Sequence, residues 1–180
     1  QALMLIAGDG KHHIFKRDSL DARDWQGTES EDARVELKRL LTETDDPAEN
    51  RENQLTYRRL NFDILLTNPP FAGENPDQAL LRQYELARKD GGTLRNNVER
   101  HILFMERTLD MICPGGRMAI VLPQGVLNNT NMQYIREWLF DKARVLAVIG
   151  LDGNTFKPHT GTKTSVLFLQ KWNKNEKPLN

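Results

Sequence analysis

The sequence predicts an α/β fold whose sheet is mostly parallel and whose last strand runs antiparallel. Three observations point there. Two near-continuous apolar runs, FDILLT at 62–67 and RMAIVL at 117–122, have the composition of strands buried on both faces. Between them, Val98, Ile102, Met105, Leu109 and Ile112 recur at the spacing of one helix face. The last two apolar runs, 144–151 and 164–171, are joined by only about a dozen residues without a helical pattern, which is short for a parallel crossover.

Taken in order, QALMLIAG reads as the end of a helix already under way, and Asp9-Gly10 supplies a turn. Gln1 is not a natural initiator, so the expectation is a piece of a longer protein. His13–Lys16 is a short strand candidate ending at Arg17-Asp18-Ser19. Residues 21–61 are polar and charge-rich and read as a helical insertion that makes a solvated surface excursion. Within it, Thr28-x-x-Glu31 fits a capping box, and Ala33, Leu37, Leu40 and Leu41 follow at helical spacing. Thr44 to Gln54 reads as loose chain.

Phe62–Thr67 is the first buried strand. A polar stretch with a helical middle at Gln78–Arg88 leads to a strong helix over Asn97–Cys113, stopped by Pro114-Gly115-Gly116. Arg117–Leu122 is a strand closed by Pro123. Asn131 is placed as the cap of a helix reaching Asp141, with Met132, Ile135 and Leu139 inward. Arg144–Leu151 and Thr164–Lys171 are the last strands.

The chain has 180 residues, enough for one domain with a core. Lys+Arg and Asp+Glu number 25 each, which argues against a self-sufficient nucleic-acid binder and allows one whose partner supplies phosphate contacts. Cys113 stands alone, so no internal disulfide forms, and a reducing cytoplasm fits. No apolar run reaches the ~18 residues of a membrane span, and no metal-ligand set is assigned.

The chemistry lies in Asn68-Pro69-Pro70-Phe71. In open α/β sheets ligands sit beyond the carboxyl ends of strands, and Asn68 stands at such an end. Its side-chain carbonyl accepts hydrogen bonds from an amino group. Two prolines stiffen the turn, so the Pro69 carbonyl stays beside the first acceptor. Phe71 offers a flat face to a planar ring. Two acceptors and a stacking face suit an exocyclic amine on an aromatic base, with its lone pair turned outward.

FDILLTNPPF is similar to the catalytic motif of S-adenosylmethionine-dependent amino-methyltransferases, written Asp/Asn/Ser-Pro-Pro-aromatic. HILFMERTLDMICPGGRMAIVLPQGVL and IGLDGNTFKPHTGTKTSVLFLQKW resemble later segments of the modification (methylation) subunits of type I restriction enzymes. The resemblance covers most of the chain outside 21–61. It implies a Rossmann-like methyltransferase fold and methyl transfer from S-adenosyl-L-methionine to N6 of an adenine flipped out of DNA. It also implies a specificity subunit and a restriction subunit as partners. By the same resemblance, Asn68 and the Pro69 carbonyl hold the amine, Phe71 stacks on the base, and Asp18 contacts the cofactor adenine. Phe156 lines the base pocket or is a plain buried anchor, and His159 and Lys163 are in reach of a phosphate.

The family's Gly-rich cofactor loop and ribose-binding acid are expected upstream of Gln1. Gly8-Asp9-Gly10 and Gly115-Gly116 both follow helices. In the family's sheet order, 3-2-1-4-5-7-6, strands 1 and 2 would then be absent. His13–Lys16 would be strand 3, and Phe62–Thr67 would be strand 4 with an open edge. Such an edge predicts a rearranged first strand beside it or a dimer through it. The isolated chain is expected to bind cofactor poorly and to be inactive. Two other readings stay open. One is an amino-methyltransferase acting on cytosine N4, RNA guanine or protein glutamine. The other is an assembly module that docks a specificity subunit through 21–61.

Overall fold

The computed structural model describes residues 17–25, 31–173 and 176. His13–Lys16 and Thr28 lie outside the described residues. The centre is a four-stranded sheet of β1 (Phe62–Thr67), β4 (Ile112–Pro123), β5 (Ala143–Gly150) and β6 (Thr164–Lys171). Their order is β1-β4-β6-β5. β1 runs parallel to β4, with Thr67 opposite Ile120. β6 runs antiparallel to both β4 and β5. This matches the 4-5-7-6 part of the expected order, including the reversed last strand.

A two-residue ribbon, β2 (Glu74–Asn75) with β3 (Val98–Glu99), precedes helix α4 (Arg100–Met111). Nine residues of α4 are buried, among them Ile102, Leu103, Met105 and Leu109. They join Met118, Ile120 and Leu122 of β4 and Leu167 and Leu169 of β6 in the main core. α4 begins after Val98 because Val98 and Glu99 pair with Asn75 and Glu74, so the expected start at Asn97 is corrected. It stops at Met111, and Pro114–Gly116 fall inside β4, where the pairing register to β1 shifts between Phe62 and Ile64. At Gly116 an added Cβ would stand 2.9 Å from the Cys113 carbonyl oxygen and 3.0 Å from that of Phe62, so only glycine fits that crossing.

Other expectations are revised. Residues 44–54 are not loose: α2 (Pro47–Thr56) begins there, capped by Asp46, whose side chain accepts from Ala48 N, with Pro47 in the first turn. The helix expected over 78–88 is only α3 (Gln78–Leu81). Beyond it, the backbone amides of Glu85 and Leu86 donate to the Glu106 carboxylate, each at 2.8 Å, instead of continuing a helical ladder. After a short helix, α5 (Gln124–Asn128), the cap at the next helix is Asn129 rather than Asn131. Its side chain accepts from Asn131 N to start a 3-10 turn, and α6 (Gln133–Lys142) follows with Ile135 and Leu139 buried and Met132 packed against the core.

The insertion keeps most of its described residues exposed or half-buried and packs a few onto the core. Its first helix, α1 (Glu31–Arg39), buries Leu37, which clusters with Tyr57, Leu60 and Met111. Arg107 of α4, 1% exposed, donates to the carbonyls of Ser19, Arg58 and Tyr57 and so ties both ends of the segment to the core. Arg58 in turn contacts Glu106 at 3.3 Å and Asp110 at 2.8 Å.

β1 was expected to be buried on both faces, yet Ile64 and Leu66 are 69% and 76% exposed. Among the described residues no strand pairs with its outer edge, and the expected first strand lies outside them.

Candidate functional site

The parallel pairing of β1 with β4, and the antiparallel insertion of β6, bring several chain ends to one rim of the sheet. These are the carboxyl ends of β1, β4 and β5 and the amino end of β6. The Gln124 amide donates to the Lys163 carbonyl at 2.9 Å and the Leu151 amide to the Thr164 carbonyl at 3.0 Å, which tie the 151–163 loop to that rim. The Asn68–Phe71 turn leaves β1 at the same rim.

Within that turn Asn68 is exposed, Pro69 is buried, Pro70 is exposed and Phe71 is half-buried. The buried proline anchors the turn, and the exposed amide is free to meet a ligand from solvent. Phe71 meets Phe156 of the 151–163 loop, with ring centroids 5.0 Å apart and planes at 80°. This edge-to-face geometry is a favoured aromatic pairing. The structure therefore brings together two rings that are far apart in sequence, directly beside Asn68 and Pro69. The Phe156 loop is ordered by Asp152, whose carbonyl accepts from Thr155 N and Oγ1, and by Thr160, whose amide donates to the Phe156 carbonyl. His159 and Lys163 are exposed on it.

Asp18 serves a turn. Its Oδ1 accepts from Leu20 N at 2.9 Å and Asp21 N at 3.4 Å, and its backbone amide donates to Asp24 Oδ2. Among the described residues Oδ2 accepts no hydrogen bond. The neighbouring Asp21 carboxyl is held down at about 2, mainly by the Arg23 guanidinium.

The sequence reading missed the exit of the turn. Gly73 lies at φ +91°, a left-handed conformation, and its carbonyl accepts from Arg100 N at 3.1 Å. The Arg100 guanidinium lies against it, 3.5 Å from where a Cβ would stand. Asn97 donates to the Glu74 carboxylate, and Glu74 faces Glu99 across the ribbon. Burial and Glu74 push the Glu99 carboxyl up. His101, 2% exposed, sits with Nε2 3.1 Å from Glu99, and burial lowers its pKa to about 4. Gly73, two residues after Phe71, was an available signal for this exit.

A cavity of about 420 Å³, lined by residues including Glu85, Glu106, Asp110 and Lys171, lies at the opposite rim, where β6 ends and β4 begins. It is mixed in charge and does not include the Asn68 turn. Among the described residues no group of acidic, histidine or cysteine side chains could hold a metal, and no helix is long and apolar enough to cross a membrane.

Comparison with known proteins adds a family match. The model for the family N-6 DNA Methylase matches residues 26–179. The chain is 29% identical over 110 residues to the type I restriction enzyme EcoEI methylase subunit of Escherichia coli, covering 61% of this chain and 21% of that protein. It is 30% identical over 112 residues to the EcoKI methylase subunit of Escherichia coli strain K12, covering 60% of this chain and 18% of that protein. The chain thus spans about a fifth of the length of these relatives. Among solved structures, it resembles a modification subunit described as that of a type I restriction enzyme from Vibrio vulnificus YJ016. The TM-score there is 0.51 at 26% identity, over 65% of this chain and 24% of that one. It also shares the fold of a protein from Listeria monocytogenes described as a class I S-adenosylmethionine-dependent methyltransferase. That match has TM-score 0.56 at 22% identity, over 67% of this chain and 35% of that one.

Proposed function

Because the chain belongs to the N-6 DNA methylase family, we propose that it carries the target-base side of an adenine-specific DNA methyltransferase working in a type I restriction-modification system. The observation that supports this reading is the exposed Asn68 beside the paired rings of Phe71 and Phe156 at the carboxyl rim of the sheet. S-adenosyl-L-methionine supplies an electrophilic methyl group when bound. Of this chain's described residues, Asp18 fits it through Oδ2, toward the cofactor adenine.

A flipped adenine stacks on the face of Phe71 that Phe156 leaves open, and Phe156 braces that ring edge-on. The Asn68 side-chain carbonyl and the Pro69 backbone carbonyl each accept one N–H of the 6-amino group. Both protons are then engaged, and the nitrogen lone pair points away from the ring plane toward the methyl donor. Positioning of this kind carries much of the rate, since it replaces the entropy of bringing reactants together. Transfer of the methyl would leave that nitrogen positively charged and still carrying its own two protons, while the sulfur keeps the electron pair of the broken carbon–sulfur bond. The two carbonyls would hold the protons until one leaves to solvent.

DNA and a specificity subunit are assigned as partners, with a restriction subunit in the complete system. The open β1 edge is the surface for pairing with a second chain. The isolated chain is expected to bind the cofactor poorly, so calorimetric titration with S-adenosyl-L-methionine should give no heat. One-to-one binding overturns that expectation.

The test of the main reading is label transfer by the complete protein. Labelled methyl should appear at adenine N6 of duplex DNA, and Asn68→Ala should lower transfer at least about 100-fold while DNA binding persists. Label at cytosine N4, in RNA or in protein overturns the reading.

A further inference from the structure

We propose that the backbone N–H of Arg100 is the bolt that fixes the exit of the Asn68–Phe71 turn. Arg100 and Gly73 are then positioning residues for methyl transfer. The proposal rests on the reading given above.

The entry of the turn is fixed already, because Thr67 is in register with Ile120 of the central sheet. The exit needs its own anchor. The ribbon of β2 and β3 is two residues long and sets Glu74 against Glu99, like charges directly opposite each other, which disfavours it. The bond from Arg100 N to Gly73 O, 3.1 Å, carries the ribbon's register one pair further, onto the first residue of a helix with nine buried residues. That helix end is a fixed point in the core. The left-handed φ of Gly73 aims its carbonyl at the helix amide, and a side chain at that position would be strained. The turn is therefore held at both ends, with its prolines stiffening the middle. A shift of about 1 Å in a reacting group costs roughly 100-fold in rate, so a loose exit is felt in catalysis.

The geometry also provides a clean test. Arg100 is the first helical residue, where proline is well tolerated. Glu99 lies at φ −61° and ψ 136°, a conformation suited to the residue before proline. Arg100→Pro thus removes the N–H without breaking the helix and puts a ring carbon in its place, which pushes the Gly73 carbonyl off the helix end, whereas Arg100→Ala removes only the side chain. In the complete protein with its partner subunits, kcat of Arg100→Pro should fall at least tenfold below that of Arg100→Ala. KM for duplex and for cofactor should stay within twofold between the two, and the melting temperatures should match. Equal kcat values overturn the proposal, and so does a change confined to KM. If Arg100→Pro melts early, Gly73→Ala decides in its place. It strains the same carbonyl and should lower kcat at constant KM, and an unchanged kcat overturns the proposal. An inactive Asn68→Ala protein alongside matched Arg100 variants overturns the bolt alone. An active Asn68→Ala protein overturns the underlying reading as well.

Discussion

Arg107 shows how much one side chain can organise. It sits in the middle of α4, 1% exposed, with its guanidinium forked onto the carbonyls of Ser19, Tyr57 and Arg58 and its cation 5.4 Å from the Trp25 ring centroid. A neutral side chain of similar length leaves those carbonyls without their donor. We predict that Arg107→Met lowers stability by roughly 3 kcal/mol or more, read by urea unfolding, because each buried acceptor left unpaired costs about 1–3 kcal/mol. Arg107→Lys should restore only part of this, since one ammonium cannot match a planar fork. None of this was legible in the sequence. Arg107 follows Glu106 in a helix whose apolar face is plain, and neither lies on that face's spacing. Their partners lie 20 to 88 residues upstream, which no local pattern reveals. The Asn68–Phe71 turn was legible for the opposite reason: an apolar strand, two prolines and an aromatic residue are neighbours in sequence.

Elements with local signals were readable, and those set by distant groups were not. The α2 helix had its signal in Asp46-Pro47, a cap followed by a first-turn proline, but the polarity of Glu49 to Gln54 disguised it as loose chain. Asp46→Ala should cost about 1 kcal/mol, the usual price of an N-cap, measurable as a lower urea midpoint at unchanged slope. The short α3 went the other way. Its sequence continues helically past Leu81, but the Glu106 carboxylate captures the amides of Glu85 and Leu86. The reversed final strand was readable from the brevity and irregularity of the loop before it. The apolar run of β1 was readable as a strand, although its composition did not reveal that Ile64 and Leu66 would stand exposed in the described structure.

At the scale of the whole molecule, two buried titrating groups oppose each other. Burial raises the Glu106 carboxyl to about 7, against the backbone amides and Arg58, which favour its charge, and with Asp110 adding to the rise. A raised carboxyl favours folding below its ordinary pKa of 4.5, and that contribution fades as pH climbs toward 7. Burial lowers His101 from 6.5 to about 4, so its contribution is present above 6.5 and fades as pH falls toward 4. Each amounts to about 3 kcal/mol at most, and the Glu99 carboxylate 3.1 Å from His101 reduces the second. The slopes oppose each other between about pH 4.5 and 6.5. Glu106→Gln should leave stability rising with pH across that window, and His101→Leu should leave it falling. Parallel profiles for the two variants in urea titrations would contradict the assignment.

The place of β6 between β4 and β5 also sets a timetable for synthesis. β5 leaves the ribosome with Leu146, Val148 and Ile149 facing outward and no backbone partner, because the strand that pairs with it ends at Lys171. At the ordinary pace of translation, roughly 5–20 residues per second, β5 waits on the order of seconds for that partner. During that interval the nascent chain offers an unpaired apolar strand. The Phe71–Phe156 pairing stays apart until β6 arrives to pin the loop that carries Phe156. Sheet closure and the meeting of the Phe71 and Phe156 rings are therefore a single event, set by the arrival of β6.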